Sequence, residues 1–287
     1  MSSSHSLRLD AHQHFWRYDA TDYPWIGPDM SGLRRDFQPD DLRPLLDAAG
    51  LDGCIAVQAR ACASETDALL LLAERYPWIR AVVGWVDLCA SDLEQSLERW
   101  GQNPVLRGFR HQLQDEPTPG DFMLSHKFQR GLTTLQRQGL VYEVLVKARD
   151  LGAVTKLCQQ HDQHHLVLDH LGKPDVQAGD LTAWAKQLAP LAALPHVSCK
   201  LSGLITEAHW QHWHSAQLTP YLHTALELFG ADRLMFGSDW PVCLLASDYT
   251  ATCTLLDSLS SSLSTSQHAA IWGGTACRVY TIEGATP

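Results

Sequence analysis

Two histidines one residue apart, His12 and His14 in the run Asp10-Ala11-His12-Gln13-His14, close a short segment that opens at Leu7. Successive side chains of an extended strand alternate faces, so both imidazoles point one way while Ala11 and Gln13 point the other. Two imidazoles on one face suit a metal ion or a polarised substrate oxygen. In isolation the same pattern is also what a pair of surface histidines near a chain end looks like, and the rest of the chain has to decide.

The histidines need a frame. Short apolar, β-branched segments alternate with longer stretches of helical spacing, as in a parallel sheet covered by helices. Predicted strands are Leu7 to His12, Gly53 to Gln58, Ala81 to Val86, Leu106 to Arg110, Val141 to Val146, Leu166 to His170, Val197 to Leu201 and Leu234 to Gly237. Helical spacing covers Pro39 to Ala49, Glu65 to Tyr76, Ser91 to Gln102, Lys127 to Gln138, Ala148 to His161, Leu181 to Ala193, Pro220 to Phe229 and Tyr249 to Ser258. Eight strand and helix pairs in 287 residues predict an α/β fold, a single (β/α)8 TIM-type barrel domain over residues 1–287. The competitor, a doubly wound open sheet, would carry G-x-G-x-x-G after an early strand, and none does. The serine-rich stretch Ser258 to Ser266 reads as a surface loop.

Composition narrows the classes. A net charge of -10, with no Lys and Arg cluster, argues against nucleic acid as a partner. No apolar run approaches the ~20 residues of a membrane span, and Met1 to Asp10 lacks the apolar segment of a signal peptide, so no membrane partner and a cytoplasmic location are expected. The eight cysteines lie far apart without a C-x-x-C pair and read as buried free thiols.

A barrel of this type builds its active site at the C-terminal ends of its strands. Polar residues gather there at every strand: His12 and His14, Gln58 with Arg60, Asp87, Arg110 with His111, Glu143 with Lys147, Asp169 with His170, Lys200 with Ser202, and Asp239. Asp87, Arg60 and Lys147 also read simply as loop charges in water. Glu143 and Lys200 differ, because each interrupts an apolar strand, where an unpaired charge costs several kcal/mol. Both are therefore expected to serve function.

Seven ordered blocks carry a resemblance: Leu-Asp-Ala-His-Gln-His-Phe-Trp (9–16), Tyr-Pro-Trp-Ile (23–26), Val-Gln-Ala (57–59), Arg-Gly-Phe-Arg-His (107–111), Leu-Asp-His-Leu-Gly-Lys-Pro (168–174), Lys-Leu-Ser-Gly-Leu (200–204) and Phe-Gly-Ser-Asp-Trp-Pro-Val (236–242), with Trp-Gly-Gly-Thr-Ala-Cys-Arg-Val-Tyr (272–280) near the C-terminus. The chain resembles the amidohydrolase superfamily, and within it the sugar lactonase branch that includes L-fuconolactone and L-rhamnonolactone hydrolases. The resemblance implies metal ligands at His12, His14 and Asp239, with Glu143 standing for a bridging carboxylate and His170 for a further histidine. Lys200 stands where that pattern would place another imidazole, which argues against a two-metal centre. One divalent ion, zinc or manganese by ligand type, or no ion at all, is the implied cofactor.

The implied reaction is hydrolysis of a small-molecule sugar lactone to the open-chain aldonate. In that reading Asp239 is the general base, with His170 and His14 beside it. Arg110 and Lys200 face the developing oxyanion, Gln58 meets a sugar hydroxyl, and Trp25 and Trp240 offer ring faces to the sugar. Asp239 in Gly-Ser-Asp-Trp-Pro also reads as a helix cap, and His170 as a hydrogen-bonded core histidine. The tract His209 to His214 reads as a solvated rim. Two other readings stay open: a metal-dependent decarboxylase, with Arg110 and Lys200 clamping a substrate carboxylate, and a non-catalytic sugar-binding barrel.

Overall fold

Eight strands form one sheet in strict chain order in the computed structural model, which describes residues 6–101, 103–259 and 262–283. They are β1 (Leu9–Gln13), β2 (Gly53–Val57), β3 (Ile79–Gly84), β4 (Leu106–His111), β5 (Val141–Val144), β6 (Leu166–Leu168), β7 (Val197–Leu201) and β8 (Leu234–Phe236). Each neighbouring pair is parallel. Helices α1 (Pro39–Ala49), α2 (Ala63–Arg75), α3 (Leu93–Glu98), α4 (Pro119–Met123), α5 (His126–Arg137), α6 (Leu151–Gln160), α7 (Leu181–Ala192), α8 (Ser215–Phe229) and α9 (Tyr249–Asp257) follow the strands. The sheet closes through Gln13 paired with Trp240, through His14 N–H donating to the Trp240 carbonyl at 2.7 Å, and through Asp239 N–H donating to the His12 carbonyl at 2.8 Å. The predicted (β/α)8 barrel is the observed fold.

Local chemistry explains the boundaries. The helix predicted over Pro39 to Ala49 is found there, set by a capping box between Gln38 and Asp41, Pro39 in the first turn and Gly50 in the left-handed conformation at its end. The sixth strand stops at Leu168 instead of His170, because His170 and Leu171 adopt positive φ. The helix predicted over Ser91 to Gln102 shrinks to Leu93–Glu98, and position 102 lies outside the described residues. In the serine-rich stretch, Ser264 caps a short helix α10 (Thr265–Ala269), while positions 260 and 261 lie outside the described residues. Positions 1–5 of the segment read for a signal peptide do as well.

The two faces of the strands bury different things. Outward residues such as Cys54, Val82, Tyr142 and Phe236 join the large apolar layer beneath the helices. Inward residues Leu9, Ala11, Ile55, Val57, Val83, Val141, Val167 and Met235 form a separate, smaller cluster. That cluster is completed by Ala276, Val279, Tyr280 and Ile282, from and just after helix α11 (Thr275–Val279), which plugs the end of the barrel where the strands begin. Among the described residues no helix is long and apolar enough to cross a membrane.

A bulge in β1 decides which polar groups enter the barrel. The register runs Asp10 opposite Cys54 but Gln13 opposite Ala56, so β1 spends one residue more than β2 between those pairs. Simple alternation would put Asp10, His12 and His14 on one face, with Ala11 on the other. Instead Ala11 joins the inward cluster. Asp10 meets α9 and the segment just after β8, accepting from the Ser238 N–H and hydroxyl at 2.9 and 2.6 Å and from the Tyr249 hydroxyl at 3.0 Å.

Glu65, near the start of α2, shapes the loop leaving β2 by accepting from the Ala59 N–H at 3.0 Å and the Arg60 N–H at 2.9 Å. Burial pushes its carboxyl up to about 7. A raised pKa means that the folded state holds the proton more tightly than the unfolded chain, so this stability is present at low pH and is lost as pH rises to 7. The urea midpoint of the wild type, measured against Glu65→Gln, is expected to fall between pH 5 and pH 8 by the equivalent of about 3 kcal/mol. A difference that does not change with pH would contradict this.

Candidate active site

At the C-terminal ends of the strands lies a cavity of about 240 Å³. His14, His170, Asp239 and Arg110 line it at the barrel, and Trp25, Met30, Gln112, Gln114, Leu145, Thr206 and Trp210 line it from the loops. That volume accepts one small ring and not a polymer. Trp25 is fixed by its indole N–H donating to the Ala59 carbonyl at 2.9 Å, which stands its ring at the wall.

Asp239 is the centre of this floor. Its Oδ1 lies 3.3 Å from His14 Nε2, 3.8 Å from His12 Nε2 and 3.9 Å from His170 Nε2. Burial alone would raise its pKa, but His170, His14 and His12 outweigh burial and hold the carboxyl below its usual range. The histidines move the other way. Burial lowers His170 to about 4 and depresses His14 and His12 as well, so at neutral pH an ionised carboxylate faces neutral rings.

Asp239 and His170 both sit at positive φ, 57° and 52°, where residues with a Cβ are strained by roughly 1–2 kcal/mol. Leu171 and Lys173 share the conformation. The turn is held by Trp184 donating to the Leu171 carbonyl at 2.9 Å and by Lys173 N–H donating to the His170 carbonyl at 2.8 Å. Strain retained at side chains that face one another marks a site whose geometry the surrounding packing imposes.

Beneath the floor, fully buried, lies a second layer of His12, Asp169, Lys200 and Glu143. Lys200 Nζ donates to Glu143 Oε1 at 2.6 Å and stands 3.6 Å from Asp169 Oδ1 and 3.2 Å from His12 Nδ1. Arg110 Nη1 donates to Asp169 Oδ2 and to His12 Nε2, both at 3.0 Å. Its Nε and Nη2 go to the Gln58 side-chain oxygen at 3.2 and 2.9 Å, and Nη2 also reaches the Gln58 carbonyl. Burial raises Asp169, but Lys200, His12 and Arg110 together pull it well below the usual range. Burial takes Glu143 up to about 7 against the pull of Lys200.

These positions revise several expectations. Arg110 reaches the cavity, yet its five N–H groups all have partners in the protein, so it acts by charge and not as a free donor. Lys200 and Gln58, expected at the substrate, lie below the floor, because both are needed to neutralise or hold the buried charges. Trp240 is buried against Phe15 and Phe37 at ring separations of 6.1 and 5.3 Å and offers no face to the cavity. Glu143, expected among the metal ligands, is turned to Lys200 and Tyr280 and joins neither group of converging ligand atoms. Trp25, His14, His170 and Asp239 do come together. Asp169, noted in the sequence at a strand end but assigned no role, joins the buried layer; Gln112, Gln114 and Trp210 were not foreseen, and Trp210 reaches the cavity from the tract read as rim while His209 and His212 stay exposed.

The donor chemistry fits one metal ion. His14 Nδ1 lies 2.8 Å from the Val57 carbonyl, which only accepts, so Nδ1 carries the proton and Nε2 a lone pair. That lone pair faces an Asp239 oxygen at 3.3 Å, an arrangement of two acceptors that a cation between them relieves. His12, His14 and Asp239 bring ligand atoms within 4.8 Å of one another, though His12 Nε2 already accepts from Arg110. The other converging group, His12, Asp169 and His170, shares His12, and its Asp169 neutralises two buried cations. A second ion there would add positive charge where the balance is already met.

Residues 9–282 match the amidohydrolase family. The chain is 50% identical to the L-fucono-1,5-lactonase of Burkholderia multivorans over 96% of this chain and 97% of that protein. It is 35% identical to the L-fucono-1,5-lactonase of Burkholderia ambifaria, covering 97% of each. A crystal structure of an amidohydrolase from Burkholderia multivorans with bound zinc superposes with a TM-score of 0.94 at 50% identity, over 96% of this chain and all of that one.

Two glycines leave room for the histidines. A Cβ on Gly203, whose φ is +62°, would stand 2.5 Å from His170 Nδ1, and one on Gly237 would stand 2.6 Å from the His12 Cβ. Gly203→Ala is expected to displace the His170 ring, break its 2.9 Å contact with the Ser202 hydroxyl and lower stability by about 1–3 kcal/mol. Thermal melts and the crystal structure of the variant check this; an unmoved ring at unchanged melting temperature would refute it.

Proposed function

The chain belongs to the amidohydrolase family, and from that premise we propose that it hydrolyses a sugar-acid lactone, L-fucono-1,5-lactone or a close aldonolactone, to the open-chain aldonate. One observation carries the reading: an ionised carboxylate, Asp239, stands among neutral imidazoles on the floor of a cavity sized for a single sugar ring. The curated lactonases at 50% and 35% identity support the substrate class.

Asp239 Oδ1 accepts a proton from water as the water oxygen attacks the lactone carbonyl carbon. The tetrahedral oxyanion forms beside the buried positive charge of Arg110, whose Nη1 stays fixed on Asp169. The proton taken up by Asp239 passes to the ring oxygen as the carbon–oxygen bond breaks, relayed through His170 Nε2 in one concerted transfer, so that Asp239 ends ionised and His170 neutral as they began. Trp25 and Trp210 give apolar ring faces to the sugar, while Gln112 and Gln114 supply amide groups for its hydroxyls. His14 Nε2 and Asp239, joined by His12 Nε2 where the ion takes the place of the Arg110 contact, would hold a single divalent ion, zinc or manganese by ligand type, which when bound supplies Lewis-acid polarisation of the carbonyl.

The decarboxylase reading loses its clamp, since Arg110 has no free N–H and Lys200 lies under the floor. Lys173, at the cavity, is paired with Glu207 at 3.3 Å. All eight cysteines are free thiols, six buried and Cys62 and Cys89 half-buried, which supports the cytoplasm as the compartment. The barrel is read as one catalytic domain with a small-molecule substrate and no nucleic-acid partner.

A panel of L-fucono-, L-rhamnono- and D-galactonolactones, followed by proton release with a pH indicator, tests the activity. Hydrolysis of at least one lactone is expected, with Asp239→Asn lowering kcat/KM by about 10³-fold. A silent wild type across the panel, or a fully active Asp239→Asn, overturns the proposal. Repeating the assay with chelator decides the ion: retained rates leave the chemistry to the side chains, and lost rates restored by zinc assign it to the metal.

A further inference from the structure

We propose that Tyr280, in the segment that plugs the far end of the barrel, is a positioning residue for the hydrolytic site, acting through Glu143 and Lys200 on His12. The inference rests on the lactonase reading for its kinetic arm only. Tyr280 is buried inside the barrel, and its hydroxyl donates to Glu143 Oε1 at 2.5 Å. The same oxygen accepts from Lys200 Nζ at 2.6 Å, while Glu143 Oε2 has no hydrogen-bond partner among the described residues. The Lys200 ammonium also stands 5.6 Å from the centre of the Tyr280 ring, within cation–π range. Tyr280 therefore fixes both the anion that holds the ammonium and one wall around it.

What Lys200 does next reaches the site. Its Nζ lies 3.2 Å from His12 Nδ1 and 3.6 Å from Asp169 Oδ1. His12 in turn packs its ring 4.4 Å from that of His170 and faces Asp239. Arg110 and Lys200 can only donate, and a neutral imidazole accepts at one nitrogen. The shorter contact, from Arg110 to Nε2, places the proton on Nδ1, 3.4 Å from Asp169 Oδ1, an oxygen with no hydrogen-bond partner among the described residues. Lys200 must then be kept on Glu143, or it competes with His12 for Asp169. Glu143 is held to that task by a second donor, and Tyr280 is that donor.

None of Tyr280, Glu143 and Lys200 lines the cavity, so their loss should alter the chemical step and leave substrate binding alone. Tyr280→Phe keeps the ring and removes the bond. It is expected to lower kcat about tenfold with KM changed less than about twofold, the size of effect seen when a group supporting a site's ligands is lost. In a Glu143→Gln background the same substitution should cost little further, because the acceptor that Tyr280 holds is altered. Long-range proton–nitrogen NMR gives a readout that needs no substrate: the His12 ring signals should shift in Tyr280→Phe while those of His161 stay in place.

A tyrosine that merely fills the plug would lower the melting temperature without moving kcat or the His12 signals, and that result overturns the proposal. Equal losses in both backgrounds overturn it as well. A wild type silent on every lactone refutes the assigned reaction, and the His12 signals then decide the role of Tyr280 alone.

Discussion

Charge balance inside the barrel is the constraint from which the site follows. Two cations, Arg110 and Lys200, and two anions, Asp169 and Glu143, share a space almost closed to water. A buried charge left without a partner costs several kcal/mol, so each member fixes the place of the next. With those four matched, Asp239 is the carboxylate left on the cavity floor, ringed by imidazoles, while Asp115 and Glu207 stand at the loop wall. The same balance limits the metal. One ion can relieve the contact between His14 and Asp239, whereas a second would need Asp169, which already serves two cations.

Much of this was legible in the sequence because periodicity and strand-end polarity are local properties. The eight strands, and the convergence of His14, His170 and Asp239, follow from alternation and from where such barrels place their sites. The interruptions at Glu143 and Lys200 correctly signalled buried charge, but not its partner, because pairing between β5 and β7 with a tyrosine from the chain's end is a tertiary fact. The bulge in β1 was hidden for another reason. No glycine marks it, and only the register against β2 shows that Asp10 leaves the face that His12 and His14 occupy. Trp240 and Gln58 were read by residue type, and their depth in the packing gave them other work.

The strained turn at His170 fits the same logic. Holding His170, Leu171 and Lys173 at positive φ costs a few kcal/mol in total, offset by the burial of Leu171 and by the Trp184 hydrogen bond. In exchange the imidazole is aimed at Asp239 before any substrate arrives. Gly203 supplies the missing Cβ that makes this aim sterically possible. Pre-set geometry of this kind reduces the reorganisation needed during reaction.

The plug of the barrel has a consequence in time. Lys200 is made well before Tyr280, and His12 before either, so during synthesis the ammonium exists while the group that steadies its counter-ion does not. The interior charges can settle only when the last helix folds back under β1 and β8. Closure of such distant segments is slow relative to local helix formation. Until that segment is in place, Glu143 and Lys200 lack the hydroxyl and the ring that steady them. The setting of His12 thus depends on contacts that join β1 and β8 to residues more than two hundred positions away from β1.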